Sequence, residues 1–262
     1  MRSMVLAAGG EGFTPPSVQD FWHPLIGTGS FALTRPMVLM VLATVLTAGL
    51  MLVGTKRLRL VPSKGQAMLE SVYNIPRNSV ARDMLGQAHF KPYLPMLVSL
   101  FMIILVSNLM GVIPVIQYPP TARIGVPLAL TLFVYVLYLG IGFKRRGFVG
   151  YFKALVPAGL PGWIVPLLFF LELITYFFTR PVTLALRLFG NMFAGHILLL
   201  LMALGGEHML LHGGFPLNVM SIGPFAMFIV LTVFEILIEF LQAYIFTLLA
   251  AFYIADSLAD EH

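Results

Sequence analysis

The stretch that decides the fold covers residues 163–204 and reads WIVPLLFFLELITYFFTRPVTLALRLFGNMFAGHILLLLMAL. It is almost wholly apolar, yet it contains Arg187 near its middle. A charged side chain at the centre of a membrane-spanning helix costs about 2.5–3.5 kcal/mol on insertion-based scales. Such residues face a water-filled cavity or a partner charge, and they mark ion pathways. The group that balances Arg187 is therefore the main question about this chain.

The composition places the chain in a membrane. Of its 262 residues, 59% are hydrophobic and only 10% are charged, whereas soluble domains carry about 25% charged residues. The net charge of +5 does not indicate a nucleic-acid partner, because the positive charges cluster beside apolar segments, as membrane topology requires. The chain has no cysteine, which excludes disulfides and thiolate metal sites.

Three segments are long enough to cross a bilayer once as a helix, which takes about 20 apolar residues. They are residues 36–55, 92–117 and 126–143. The segments 163–204 and 218–257 are about twice as long. Each of these two is either a folded-back hairpin or one steeply inclined helix, and the sequence leaves both possibilities open.

Less apolar segments complete the expected architecture. Residues 1–34 are read as an N-terminal extracytoplasmic arm, and residues 35–262 as a single polytopic membrane domain. Residues 65–90 have mixed polarity, which predicts an interfacial helical segment. We therefore expect an all-α integral membrane protein with about five membrane-crossing helices.

The orientation follows from lysine and arginine. The segment 56–91 holds seven of them and 144–153 holds four, whereas 114–125 holds one and 205–217 holds none. Basic loops stay in the cytoplasm. The N-terminus is then predicted outside and the C-terminus inside.

Few polar side chains interrupt the two long segments. They are Glu172, Arg180, Arg187, Asn191 and His196 in the first, and Glu235, Glu239 and Gln242 in the second. Arg180 and Arg187 are two helical turns apart and share a face, which Asn191 joins. The three residues of the second segment follow one another at i, i+4 and i+7, so they also share one face.

The two faces match if the segments pack as an antiparallel pair. Opposed residues then have a nearly constant sum of residue numbers, which is 429 for Arg187 with Gln242 and 431 for His196 with Glu235. Arginine stays protonated and can keep a nearby carboxylate ionised. An imidazole and a carboxyl group can bind and release protons, which suits a proton path from the outer side. Gln242 can orient the arginine or its carboxylate partner by hydrogen bonds.

Structural interpretations compete with this one. Arg187 can form a structural ion pair with Glu235 or Glu239, and His196 can serve only as a hydrogen-bonding residue. Glu172 and Arg180 lie nearer the cytoplasmic end, where we expect them to extend toward the membrane surface.

Other classes of protein compete as well. A secondary transporter would use an intramembrane arginine to bind an anionic substrate, but inverted repeats are not evident. A membrane scaffold would tolerate conservative changes at Arg187. Glu207, His208 and His212 have the spacing of a weak metal site, and we predict no metal and no cofactor.

The string RLFGNMFAGH, from Arg187 to His196, together with LQAYIFTLL, from Leu241 to Leu249, closely resembles subunit a of the F-type ATP synthase, the stator of its membrane proton channel. SNLMGVIP, from Ser107 to Pro114, resembles a stretch of an earlier span in that family. The resemblance covers roughly residues 36–257. Gly111 departs from it, because some members carry an acidic residue there.

The resemblance implies a role for each matched position. Arg187 matches the essential arginine that faces the carboxylate of the rotating c-ring. His196 and Glu235 match an acid/base pair of the outer half-channel, Gln242 the glutamine beside the arginine, and Asn191 a polar residue near the channel. Glu239 and Glu172 are added to this set of proton-translocating residues, with Glu172 near the inner half-channel.

The resemblance also implies the setting in which the chain works. It describes a non-catalytic subunit of a proton-transporting ATP synthase, whose last two helices are long and steeply tilted against the rotor ring. The expected partners are the c-ring, b-type subunits of the peripheral stalk, membrane lipid and protons. The expected location is a bacterial plasma membrane.

Overall fold

The computed structural model describes residues 24–26, 33–56, 60–113, 116, 118–156, 161–212 and 214–259. Within them the chain is mainly helical, with connecting turns and one small antiparallel pair of strands, β1 (Pro24–Ile26) and β2 (Leu33–Thr34). Most of the predicted N-terminal arm lies outside the described residues. The predicted all-α membrane architecture is confirmed.

The described residues form eight α-helices and two π-helical segments. The α-helices are α1 (Arg35–Lys56), α2 (Lys64–Asn74), α3 (Asp83–Leu109), α4 (Gly125–Lys153), α5 (Val165–Ile174), α6 (Arg180–His212), α7 (Phe215–Met220) and α8 (Ile222–Leu258). A π segment at Ile75–Arg82 joins α2 to α3, and a second one at Thr175–Thr179 joins α5 to α6. A short 3-10 helix, Pro120–Ala122, precedes α4.

Five helical stretches are long and apolar enough to cross a membrane. They are Arg35–Lys56, Lys64–Leu109, Gly125–Lys153, Val165–His212 and Phe215–Leu258. The last two contain 48 and 44 residues, so at about 1.5 Å per residue each is more than twice as long as the roughly 30 Å hydrocarbon core is thick. Each of the two long apolar segments is therefore one helical stretch, and the hairpin alternative is wrong.

Two glycines bend the helical stretches where polar and apolar sequence meet. Gly86 in α3 has φ 71° and Gly147 in α4 has φ 69°, in the left-handed region that glycine adopts without strain. The bend at Gly147 lets Tyr151 fold back onto Gly142, where an added Cβ would lie 2.5 Å from the tyrosine ring. Both bends fall beside the basic segments of the chain.

The chain divides into two compact units. One contains the described residues up to Arg35 together with Ala194–Leu237, and the other contains Pro36–Phe193 together with the residues from Ile238 onward. We call these the outer-pair unit and the arginine unit, because they contain His196 with Glu235 and Arg187, respectively. The hydrophobic core lies in the arginine unit, where Phe101, Leu188 and Phe246 are almost fully buried.

Candidate functional site

In the arginine unit, α6 separates apolar and polar side chains into neighbouring stripes. Leu184, Leu188 and Met192 are buried in the core, whereas Arg187 and Asn191 are exposed. The four-residue spacing within each stripe is what places its members on one side of a helix. Arg187 forms no salt bridge with the described residues of its own unit, so its charge is presented on an open helix face.

The polar residues of α8 in this unit are buried instead. Glu239 is 0% exposed and Gln242 is 5% exposed. Asn108 of α3 donates a hydrogen bond from Nδ2 to the Glu239 carbonyl at 3.4 Å, and the Thr121 hydroxyl donates to Asn108 Oδ1 at 2.7 Å. Sequence reasoning did not include Asn108 or Thr121 in the site. The polar side chain of Asn108, within the apolar run of α3, is the feature of the sequence that could have revealed this cluster.

In the outer-pair unit, the two titratable residues of the predicted proton path are both buried. His196 is 4% exposed and Glu235 is 5% exposed. Glu235 packs on Gly195, where an added Cβ would lie 2.9 Å from its Oε1. The residue numbers of this contact add up to 430, which fits the antiparallel register expected from the sequence. Because Gly195 has no side chain, the Glu235 carboxyl group can approach the backbone at this position, which directly precedes His196 in the chain.

Arg180 corrects the sequence analysis, which expected it to extend toward the membrane surface. Its Nη1 lies 2.8 Å from Asp256 Oδ2 in a salt bridge between side chains that are 15% and 32% exposed, respectively. The Tyr176 hydroxyl donates to the same carboxylate oxygen at 2.6 Å. The guanidinium carbon lies 3.5 Å from the centre of the Tyr176 ring and 5.0 Å from that of Tyr253. Arg180 is therefore paired and enclosed by aromatic rings.

Sequence reasoning missed Asp256 and Tyr176. The antiparallel register could have revealed both. If the pairing of α6 with α8 is extended toward the end of the chain, Tyr176 lies opposite the last turns of α8, where Asp256 is found. Asp256 lies two residues before the end of that helix and was not among the polar residues considered.

The π segment explains how Tyr176 is positioned. In a π-helix each backbone carbonyl accepts a hydrogen bond from the N–H five residues later. The residue five positions after Tyr176 is Pro181, which has no N–H to donate to the Tyr176 carbonyl. The Tyr138 hydroxyl donates to the Tyr176 carbonyl at 2.9 Å and satisfies it from α4. The widened turn is thus compensated by a neighbouring helix, and Tyr176 is held on the α8 side.

Two other predicted features stand apart from these clusters. Glu172 is half-buried in α5. The His208 and His212 rings stack with their centres 5.0 Å apart, and the described residues contain no group of three or more metal-ligating side chains.

Known proteins resemble the chain along most of its length. The family model of the ATP synthase A chain matches residues 37–255. Among curated relatives named ATP synthase subunit a, one from Nocardioides sp. is 43% identical over 99% of this chain and 98% of the relative. One from Pseudarthrobacter chlorophenolicus is 38% identical over 100% of both chains, and one from Streptomyces lividans is 36% identical over 97% of this chain and 90% of the relative.

The fold and the comparisons agree on the class of protein. Five helical stretches able to cross a bilayer define a multi-pass membrane protein. The chain belongs to the ATP synthase A chain family, whose members are membrane subunits of a multi-subunit complex.

Proposed function

We propose that the chain is the stator subunit of the membrane sector of an F-type ATP synthase. In this proposal it forms two proton half-channels and, with the rotor c-ring, couples proton translocation to rotation. The observation that carries the proposal is Arg187, an arginine in the middle of a membrane-crossing helix, exposed and without a salt bridge to the described residues of its unit. A charge so placed is expensive unless a partner supplies the opposite charge.

Arg187 separates the two half-channels in this mechanism. Its permanent positive charge favours the deprotonated form of a rotor carboxylate that passes the open face of α6. Because arginine does not release its proton, it blocks direct passage of protons from one half-channel to the other. Asn191, one turn further along the same face, supplies an amide for hydrogen bonds to the same carboxylate.

His196 and Glu235 supply the outer half-channel. They receive protons from outside and deliver them toward the rotor, while Gln242 and Glu239 provide buried polar groups on α8 in the arginine unit. A protonated rotor site then turns into the lipid. It releases its proton in the inner half-channel, to which we assign Glu172 at the start of the α5–α6 stretch.

The same proposal fixes the topology and the partners. The basic segments lie in the cytoplasm, so the N-terminus is outside, the C-terminus is inside, and the membrane is a bacterial plasma membrane. The last two helical stretches, Val165–His212 and Phe215–Leu258, tilt steeply along the c-ring. Subunits of the b type hold the chain as a stator. The ATP chemistry belongs to other subunits, and the chain itself is non-catalytic.

The test is ATP-driven proton pumping in membrane vesicles that contain the whole complex. We expect Arg187→Ala to abolish pumping while the complex still assembles, because the rotor carboxylate loses its counter-charge. Arg82→Ala is the matched control, since Arg82 is also exposed but lies in the Ile75–Arg82 segment, outside the predicted path. Retained coupled pumping in Arg187→Ala would overturn the proposal.

A further inference from the structure

Two arginines follow each other by two turns on α6, and their surroundings differ. Arg187 is exposed and forms no salt bridge with the described residues of the arginine unit, whereas Arg180 is bonded to Asp256. Both lie on a helix face that the proposed function turns toward the rotor. A second unpaired cation at Arg180 would attract the same rotor carboxylate as Arg187.

The partner of Arg180 is held by several contacts. Asp256 Oδ2 accepts both the Arg180 guanidinium at 2.8 Å and the Tyr176 hydroxyl at 2.6 Å. Tyr176 and Tyr253 place their rings against the guanidinium, an arrangement that stabilises a cation by its interaction with the ring face. Because the charge-assisted bond is partly buried, solvent screens it less than an exposed pair.

We propose that Asp256, positioned by Tyr176, cancels the charge of Arg180 and so leaves Arg187 as the arginine of α6 that attracts the rotor carboxylate. Asp256 and Tyr176 are then positioning residues for proton translocation. They act through Arg180 and do not bind the proton that is transported. This inference rests on the proposed stator function and adds one requirement to it, namely that the charge of Arg180 is neutralised within the chain.

The condition follows from electrostatics in a medium of low dielectric constant. A rotor carboxylate that has lost its proton is drawn to the nearest unpaired cation, and the attraction is strong where water is scarce. If Arg180 were unpaired, it would hold the carboxylate two turns away from Arg187. Rotation would then stall at the wrong position.

A charge-neutralising pair of variants separates this role from a purely structural one. Proton pumping is measured in vesicles with the whole complex for Asp256→Asn, for Arg180→Gln/Asp256→Asn and for wild type. We expect Asp256→Asn to lower ATP-driven pumping about tenfold, which corresponds to about 1.4 kcal/mol. The double variant restores pumping to within about twofold of wild type, because no unpaired charge remains.

The control is Asp83→Asn, which removes an exposed carboxylate at the start of α3 and should leave pumping unchanged. Wild-type pumping in Asp256→Asn, or failure of the double variant to assemble or to pump, would overturn the inference and assign the salt bridge a structural role. Arg187→Ala, measured in the same vesicles, tests the proposed function separately. If Arg187→Ala alone still pumps, the stator mechanism fails, whatever the Asp256 variants do.

Discussion

Arg180 and Arg187 belong to the same helix and have the same chemistry, but the arginine unit surrounds them differently. Arg180 is 15% exposed and bonded to Asp256 between two tyrosine rings, and Arg187 lies on an exposed face. The difference shows that neighbouring residues, more than the residue type, decide whether a charge in a membrane helix is paired within the chain or remains open to a partner outside it. Charges in membrane segments are rare, and those that occur pair with one another or mark functional pathways.

The comparison also explains why the two positions should tolerate substitution differently. At Arg180 the opposite charge is supplied by the chain itself, so another cation can use it. At Arg187 the partner in the proposed mechanism is mobile, so the geometry and the permanent charge of the guanidinium both matter.

The largest effect is expected when each arginine is replaced by lysine. Arg187→Lys should lower ATP-driven pumping to the background level, because lysine can lose its proton and lacks the planar fork of donors. Arg180→Lys should lower pumping by less than about twofold, because an ammonium can still pair with Asp256. The measurement is pumping by the assembled complex in vesicles. Equal effects at the two positions would remove the distinction drawn above.

A somewhat smaller effect is expected for the titratable residues of the outer-pair unit. His196→Ala and Glu235→Ala should each lower proton pumping in part, because the proposed mechanism places both in one uptake path. Their double variant should depart from additivity by about 0.5–3 kcal/mol. The double-mutant cycle is measured from pumping rates.

The control cycle for this pair combines His196→Ala with Glu207→Ala. Glu207 is an exposed acid on the same helix, so this second cycle should be additive. Strict additivity in the His196–Glu235 cycle would mean that the two residues do not work together.

Much of the fold could be predicted from the sequence. Apolar length alone located the five helical stretches of the described residues that can cross a membrane, because about 20 uninterrupted apolar residues have few other uses. The second span was predicted to run to residue 117, but its helix ends at Leu109. Length could not choose between a hairpin and one long helix for residues 163–204, since proline is tolerated inside membrane helices when other groups satisfy the backbone. The Tyr138 bond to the Tyr176 carbonyl is such a compensation, and it is invisible in a hydropathy pattern.

The candidate site was predictable where polar residues are rare and less so elsewhere. Arg187, His196 and Glu235 stood out against long apolar runs, and whether they move protons stays a prediction. Asp256 was missed because it lies near the end of α8, where Asp260 and Glu261 follow in the sequence and one more acidic residue does not stand out. The bends at Gly86 and Gly147 were missed too, since the presence of a glycine does not by itself reveal a positive φ.

A moderate effect is expected from closing the space beside Glu235. In Gly195→Ala the new Cβ would lie 2.9 Å from Glu235 Oε1, closer than van der Waals contact allows, so the carboxyl group must move. We expect pumping to fall severalfold while assembly is kept. In the control Gly205→Ala, the added Cβ meets nothing within 4 Å. If both variants pump alike, the position of the Glu235 carboxyl group is not important for proton uptake.

The smallest effect is expected at the C-terminal end of α8, which two further arginines of α4 bind. Arg145 and Arg146 donate hydrogen bonds to the carbonyls of Leu258 and Ala259, respectively. The last carbonyls of a helix have no partner within it and carry partial negative charge. Cations at that end therefore stabilise it, by about 0.3–1 kcal/mol each.

Hydrogen exchange can measure this contribution in the whole complex. Arg145→Ala and Arg146→Ala should each speed the exchange of amides in the last turn of α8 about twofold to fivefold, because loss of a cation makes local opening easier. Lys144→Ala is the matched control, since Lys144 is a neighbouring exposed cation without a hydrogen bond to a described residue. Unlike Arg187, these cations are expected to affect local stability more than pumping. If Lys144→Ala changes exchange as much as the two arginine variants do, the effect comes from overall charge, and the specific bonds to α8 contribute nothing measurable.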